Sequence, residues 1–148
     1  MPGEPQRDGH PYGLLDTNIL IHRHDLDVSE LPDEGAISAI TLAELSAGLH
    51  MVSGRPGEHA ERARRLDILQ RTENEFDPIP FDADAARAYG RLSAALLEIG
   101  RTPRRRIADL MIAATAMVED LPVFTTNPGD YVGLGDYIHV VPVRRPAT

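Results

Sequence analysis

"GLLDTNILIH", residues 13–22, runs from a short apolar segment into Asp16, Thr17 and Asn18 before apolar residues resume. Residues 13–16 read as a buried strand ending on a carboxylate, and Asn18 can cap a short helix reaching about His24. An Asp in that position either caps the turn or faces a ligand, because ligands of open α/β sheets bind beyond the carboxyl ends of the strands. Whether this strand belongs to such a sheet depends on the elements that follow it.

Downstream, "GAISAI" (35–40) is a second short strand, and Thr41 begins a helix running to about Met51. "SGRPGEH" (53–59) is a Gly/Pro loop, followed by a charged amphipathic helix over roughly 58–75. "FDPIPF" (76–81) is a strand interrupted by prolines, hence an edge or a strand end. Asp82 caps a helix whose Ala86, Tyr89, Leu92, Leu96 and Ile99 form one stripe, and Gly100 stops it. "RTPRRR" (101–106) leads into the helix "IADLMIAATAMVED" (107–120). "PVFTT" (122–126) is the fourth strand, "NPGDYVGLG" (127–135) a loop and "YIHVVPV" (137–143) the last strand. Strands alternating with helices give an α/β chain with a mostly parallel central sheet. One folded unit is expected over 13–143, after a flexible leader (1–12) of Pro, Gly and charge and before a tail (144–148).

Composition narrows the chemistry. The 148 residues suffice for one domain with a real core, and 42% of them are apolar. No apolar run approaches the ~20 residues of a membrane span, and the first residues lack the apolar segment of a signal peptide. Zero Cys excludes disulfides and thiolate metal sites and fits a cytoplasmic protein. All 15 basic residues are Arg, so Schiff-base and P-loop lysine chemistry are excluded. A net charge of −8 argues against coating nucleic acid non-specifically, but not against gripping one strand locally with a few arginines.

Four acids stand out. Asp16 ends the first strand. Glu44, in "TLAE" (41–44), reads as the partner of Thr41 in a capping box, or as a second acid on the same sheet edge. Asp109 heads the Ile112, Ala113, Ala116 stripe of a helix that also carries an apolar stripe on its other side. An acid on such a buried helix is costly unless paired, capped or metal-bound, although the helix dipole compensates in part. Asp130 follows a strand by a tight turn at Pro128-Gly129, where Thr125 and Asn127 can hold the loop or orient a ligand. All four fall at strand ends or at helix starts following a strand, which share one edge of a parallel sheet. Two unpaired carboxylates ~4 Å apart repel by about 4 kcal/mol at an effective dielectric of 20, so four converge only with protons or a cation. An all-oxygen site without Cys or suitably spaced His prefers Mg²⁺ or Mn²⁺.

"LLDTNIL" (14–20), "SAITLAEL" (38–45), "RIADLMIAATA" (106–116) and "TTNPGDY" (125–131) resemble, in this order, the PIN-domain ribonucleases, and among them the VapC toxins of toxin–antitoxin pairs. The resemblance implies a three-layer α/β fold, with a parallel sheet of four to five strands between helices. It implies an Mg²⁺- or Mn²⁺-dependent endoribonuclease that inhibits translation, with Asp16, Glu44, Asp109 and Asp130 as catalytic, metal-binding acids. Asn18, Thr125 and Asn127 are then supporting polar residues. It further implies a tRNA or ribosomal RNA substrate, a homodimer, and a VapB-like antitoxin whose C-terminal arm covers the site. Two features depart from the pattern: about 13 residues precede the first strand, and Tyr131 stands where Phe is common.

On this reading Asp16, Asp109 and Asp130 hold one or two cations, while Glu44 either binds a second metal or deprotonates the attacking water. Arg101, Arg104, Arg105 and Arg106 supply a phosphate grip, or else form a solvated basic loop. Arg62, Arg64, Arg65 and Arg71 read as a solvated helix face. A phosphatase with a nucleophilic Asp wants a second Asp two residues on and a Lys, where this chain has Asn18 and no Lys. The other alternative is a non-catalytic PIN-like module that binds RNA or protein.

Overall fold

The computed structural model describes residues 10–145, apart from the side chains of Arg104 and Arg105. Residues 1–9 of the expected leader and 146–148 of the expected tail lie outside the described residues. In chain order the elements are β1 (Tyr12–Leu15), α1 (Thr17–His22), β2 (Glu34–Ala36), α2 (Ala39–Leu49), α3 (Glu58–Glu75), α4 (Ala83–Glu98), α5 (Ile107–Glu119), β3 (Val123–Thr125) and β4 (Val140–Pro142). Short 3₁₀ turns at Pro103–Arg106 and Pro128–Tyr131 flank α5 and β3.

The four strands form one parallel sheet in the order β2-β1-β3-β4. Successive side chains of a strand face opposite sides, and here this divides the core in two. Leu14 and Val123 pack with Leu92 and Ala88 of α4 and Ile112 and Ala113 of α5. Leu15 and Phe124 pack with Ile19 of α1 and Leu45 of α2, with Ile68 of α3 against them. The sheet is thus covered on both faces, as parallel sheets require. Glycine is needed at position 13, because a Cβ there would run into the Phe124 ring of the neighbouring strand.

From β1 the chain steps to β2 on one side, then returns to place β3 on the other side. That reversal makes the carboxyl ends of β1 and β3 a topological switch point, where open α/β sheets open a crevice. Asp16 follows β1, and Thr125 ends β3.

Three elements are shorter than the sequence suggests. Of "GAISAI" only Gly35 and Ala36 are strand; Ser38 makes an isolated parallel bridge with Ile79, and the helix starts at Ala39. "FDPIPF" contributes that bridge alone, since Pro78 and Pro80 lack the N–H groups a ladder needs. The last strand begins at Val140 rather than 137, because Leu134 accepts N–H bonds from Tyr137 and Ile138 in a preceding turn.

Candidate active site

Asp16 is set by the strand–helix junction. Its backbone is extended (φ −76°, ψ 171°), and its Oδ1 accepts from the Ile19 N–H at 3.3 Å, so Asp16 and not Asn18 caps α1. The side chain is 2% exposed. Burial pushes its pKa up, against hydrogen bonds from the Thr125 hydroxyl, the Ile19 N–H, the Tyr131 hydroxyl and the Asn18 N–H. Tyr131, itself buried, lies 3.4 Å from Oδ2.

Glu44 is freed from the capping role expected of it. Ser38 caps α2, its Oγ accepting from the Ile40 and Thr41 N–H groups at 3.1 and 3.3 Å. Thr41 therefore lies inside the helix, and the Thr41–Glu44 capping box is not made. Glu44 turns instead to Thr17, whose hydroxyl donates to Oε1 at 2.6 Å and lies 3.2 Å from the Thr41 hydroxyl.

Asp109 is the third residue of α5 and half-buried. Its pKa is pushed up to about 6, first by burial and then by the charges of Glu44 and Asp16, with Arg106 opposing. That mutual repulsion brings together acids of three helices: Asp16 at the cap of α1, Glu44 in the second turn of α2 and Asp109 in the first turn of α5. Asp130 joins from the Pro128–Tyr131 turn, where its N–H donates to the Asn127 carbonyl at 3.0 Å. Its carboxylate is ion-paired with the Arg106 guanidinium, which also lies 4.0 Å from Asp109.

As placed, no three acidic or histidine side chains among the described residues are close enough to hold a metal ion. Three of the four acids are drawn toward protein partners: Asp16 to Ile19 and Tyr131, Glu44 to Thr17, Asp130 to Arg106. The donor set is nevertheless that of a hard divalent cation, all oxygen and mutually repelling, with a guanidinium now bridging two of its members. By donor chemistry the set fits such an ion.

Beside the acids lies a cavity of about 460 Å³ bordered by Arg101, Thr102, Arg106, Asp130, Leu96 and Val132. Of the four arginines expected to grip phosphate, Arg101 and Arg106 border this cavity, while the side chains of Arg104 and Arg105 lie outside the described residues. Thr125 and Asn127 are tied to the loop: the Asn127 N–H donates to Thr125 Oγ1 at 2.9 Å, and Asn127 Oδ1 accepts from Arg145. Asn18 is half-buried in the first turn of α1, beside Asp16.

Comparison with known proteins agrees with this fold. The family model described as "PIN domain" matches residues 13–130, more than half of the chain. The chain belongs to the PIN-domain family. Ribonuclease VapC5 of Mycobacterium tuberculosis is 37% identical to it over 135 residues, covering 89% of this chain and 94% of that protein. Ribonuclease VapC8 of the same species is 33% identical over 108 residues, covering 72% and 92%. Among solved structures, VapBC-5 of Mycobacterium tuberculosis, a member of the VapBC family of toxin–antitoxin systems, superposes with a TM-score of 0.75. It shares 36% identity, and the match covers 91% of this chain and 99% of that one.

Two residues of this PIN domain's site escape a reading of sequence. Thr17 orients Glu44 across 27 positions of chain, and Tyr131 reaches Asp16 across 115. Thr17 stands beside a candidate acid and could have been marked on that ground; the Tyr131 hydroxyl is marked only as a departure from the Phe common there, with nothing to link it to Asp16. Among the described residues no helix is long and apolar enough to cross a membrane.

Proposed function

We propose that this PIN domain is a ribonuclease, the toxin of a toxin–antitoxin pair, which hydrolyses RNA phosphodiester bonds with Mg²⁺ or Mn²⁺ and so inhibits translation. The observation that carries this reading is that Asp109 and Asp130, 21 positions apart, share the Arg106 guanidinium beside the switch point where Asp16 follows β1, with burial and the charges of Glu44 and Asp16 pushing the Asp109 carboxyl up. The names of the ribonuclease VapC relatives support the activity, and the VapBC-5 assembly supports a VapB-like antitoxin as partner. A homodimer belongs to the same proposal.

Asp16, Asp109 and Asp130 would hold the cation, which when bound supplies charge neutralisation at the phosphate and a more acidic water. Thr17 fixes Glu44 through Oε1 and leaves Oε2 to accept the proton of the attacking water. As the water oxygen bonds to phosphorus, the bond to the departing ribose oxygen breaks. Thr125 and Tyr131 hold Asp16 in orientation. Arg101 and Arg106 offer forked donors to flanking phosphates, which suits RNA held by local contacts on an otherwise acidic chain.

The test is RNA cleavage by the purified chain. It should proceed with Mn²⁺ or Mg²⁺, stop with chelator, and vanish in Asp16→Asn while that variant keeps its folded circular-dichroism spectrum. Wild-type cleavage by Asp16→Asn would remove Asp16 from the mechanism, and folded, metal-replete protein that binds RNA without cutting it would favour the non-catalytic alternative.

A further inference from the structure

We propose that Arg106 is the internal counter-ion of the acid cluster, which the divalent cation displaces and which then carries its charge to an RNA phosphate in the adjoining cavity. This rests on the metal-dependent reading of the site and adds to it a coupling: cation and RNA each favour the other's binding.

Four features lead there. First, Arg106 is the ion-pair partner of both Asp109 and Asp130 among the described residues, so it stands where two of the expected ligands must meet a cation. A second positive charge cannot enter that space without repelling the first. Second, Arg106 is free to leave. It precedes α5 in a non-helical conformation (φ −139°, ψ 42°), its side chain makes no capping hydrogen bond, and 52% of that side chain is exposed. Swinging it out breaks no core packing.

Third, it has a place to go. Arg106 already borders the 460 Å³ cavity together with Arg101 and Thr102, above an apolar wall of Leu96, Leu110 and Val132. That volume falls within the roughly 300–1,000 Å³ of ligand sites, and a polar rim over an apolar wall suits a sugar–phosphate with its base. Fourth, a guanidinium that forks onto a carboxylate forks equally well onto a phosphate. A cation that takes Asp109 and Asp130 releases Arg106 to the cavity, and a phosphate that holds Arg106 there clears the two carboxylates. Linkage makes the two effects equal in size.

The experiment uses the whole chain and two probes: Mn²⁺ alone by calorimetric titration, and a short fluorescent 2′-O-methyl phosphorothioate RNA by anisotropy, with and without Mn²⁺. Arg106→Gln should bind Mn²⁺ roughly five-fold more tightly than wild type, the size expected on removing half-exposed ion pairs. The gain in RNA affinity that Mn²⁺ gives the wild type should shrink in that variant to what the cation itself contributes at the phosphate. Arg106→Lys keeps the charge and should return Mn²⁺ affinity toward the wild-type value, while melting curves verify that both variants are folded. Arg106→Gln binding Mn²⁺ no more tightly than wild type, with wild-type binding intact, overturns the counter-ion role and leaves the metal-dependent reading standing. An undiminished Mn²⁺ effect on RNA affinity in Arg106→Gln overturns the transfer to phosphate. Absence of Mn²⁺ binding by the wild type overturns both the reading and the proposal.

Discussion

Replacing Asp109 by Asn should make the metal-free protein more stable while destroying the site. The Asp109 carboxyl sits near 6 instead of its ordinary 3.8 because it is buried against Glu44 and Asp16. Held ionised at neutral pH, it costs the folded state up to ~3 kcal/mol. With 26% of the side chain exposed, solvent screening brings this to ~1–2 kcal/mol. The amide of Asn keeps the shape and removes the charge, so melting in chelator near pH 7 should rise by ~3–6 °C. The sign follows from linkage. Below the unfolded value both states are protonated and the penalty is absent. Between 3.8 and about 6 the folded carboxyl keeps its proton while the unfolded one ionises, so stability falls as pH rises, and above that window the penalty is complete. The advantage of Asp109→Asn should therefore be small near pH 4 and full near pH 7, read by scanning fluorimetry across that range. Adding Mn²⁺ should raise the melting temperature of wild type and not of the variant. A variant that melts at or below wild type in chelator near neutrality, or whose gain does not change with pH, would refute the crowding argument.

Thr17→Val removes the donor 2.6 Å from Glu44 with little change of shape, and should lower kcat about ten-fold at nearly constant KM; an unchanged kcat would show that Glu44 needs no orientation. Ser38→Ala strips the N-cap from the helix that carries Glu44 and should cost ~1 kcal/mol, seen as a lower urea midpoint with an unchanged slope. A midpoint equal to wild type would return the cap to Thr41.

Much of this arrangement is legible in the chain because strand ends carry their own signal. "GLLD" and "VFTT" place apolar pairs against polar termini, and the alternation that sends Leu14 and Leu15 to opposite cores follows from strand geometry alone. Asp16 and Asp109 are visible as acids set into apolar surroundings. Sequence and structure part where local rules compete. "SAIT" and "TLAE" overlap, and each offers a hydroxyl cap three residues ahead of a polar partner. Tertiary structure decided for Ser38, because the Ser38–Ile79 bridge brings the extended chain to an end there. Asn18 lost to Asp16 as the cap of α1 for the same reason: the strand ends at Leu15, and the helix begins two residues later. The pairing of Arg106 with Asp130 spans 24 positions. Within "RTPRRR" no local feature separates that arginine from its neighbours, so its place between two carboxylates emerges only from the fold.

The most direct test of the central claim is the position of Mn²⁺ in crystals of this protein, located by its anomalous scattering. The account predicts a peak within about 2.2 Å of carboxylate oxygens of both Asp16 and Asp109, with the Arg106 guanidinium withdrawn from Asp130. A peak remote from those carboxylates, or none in a well-diffracting soaked crystal, would contradict it.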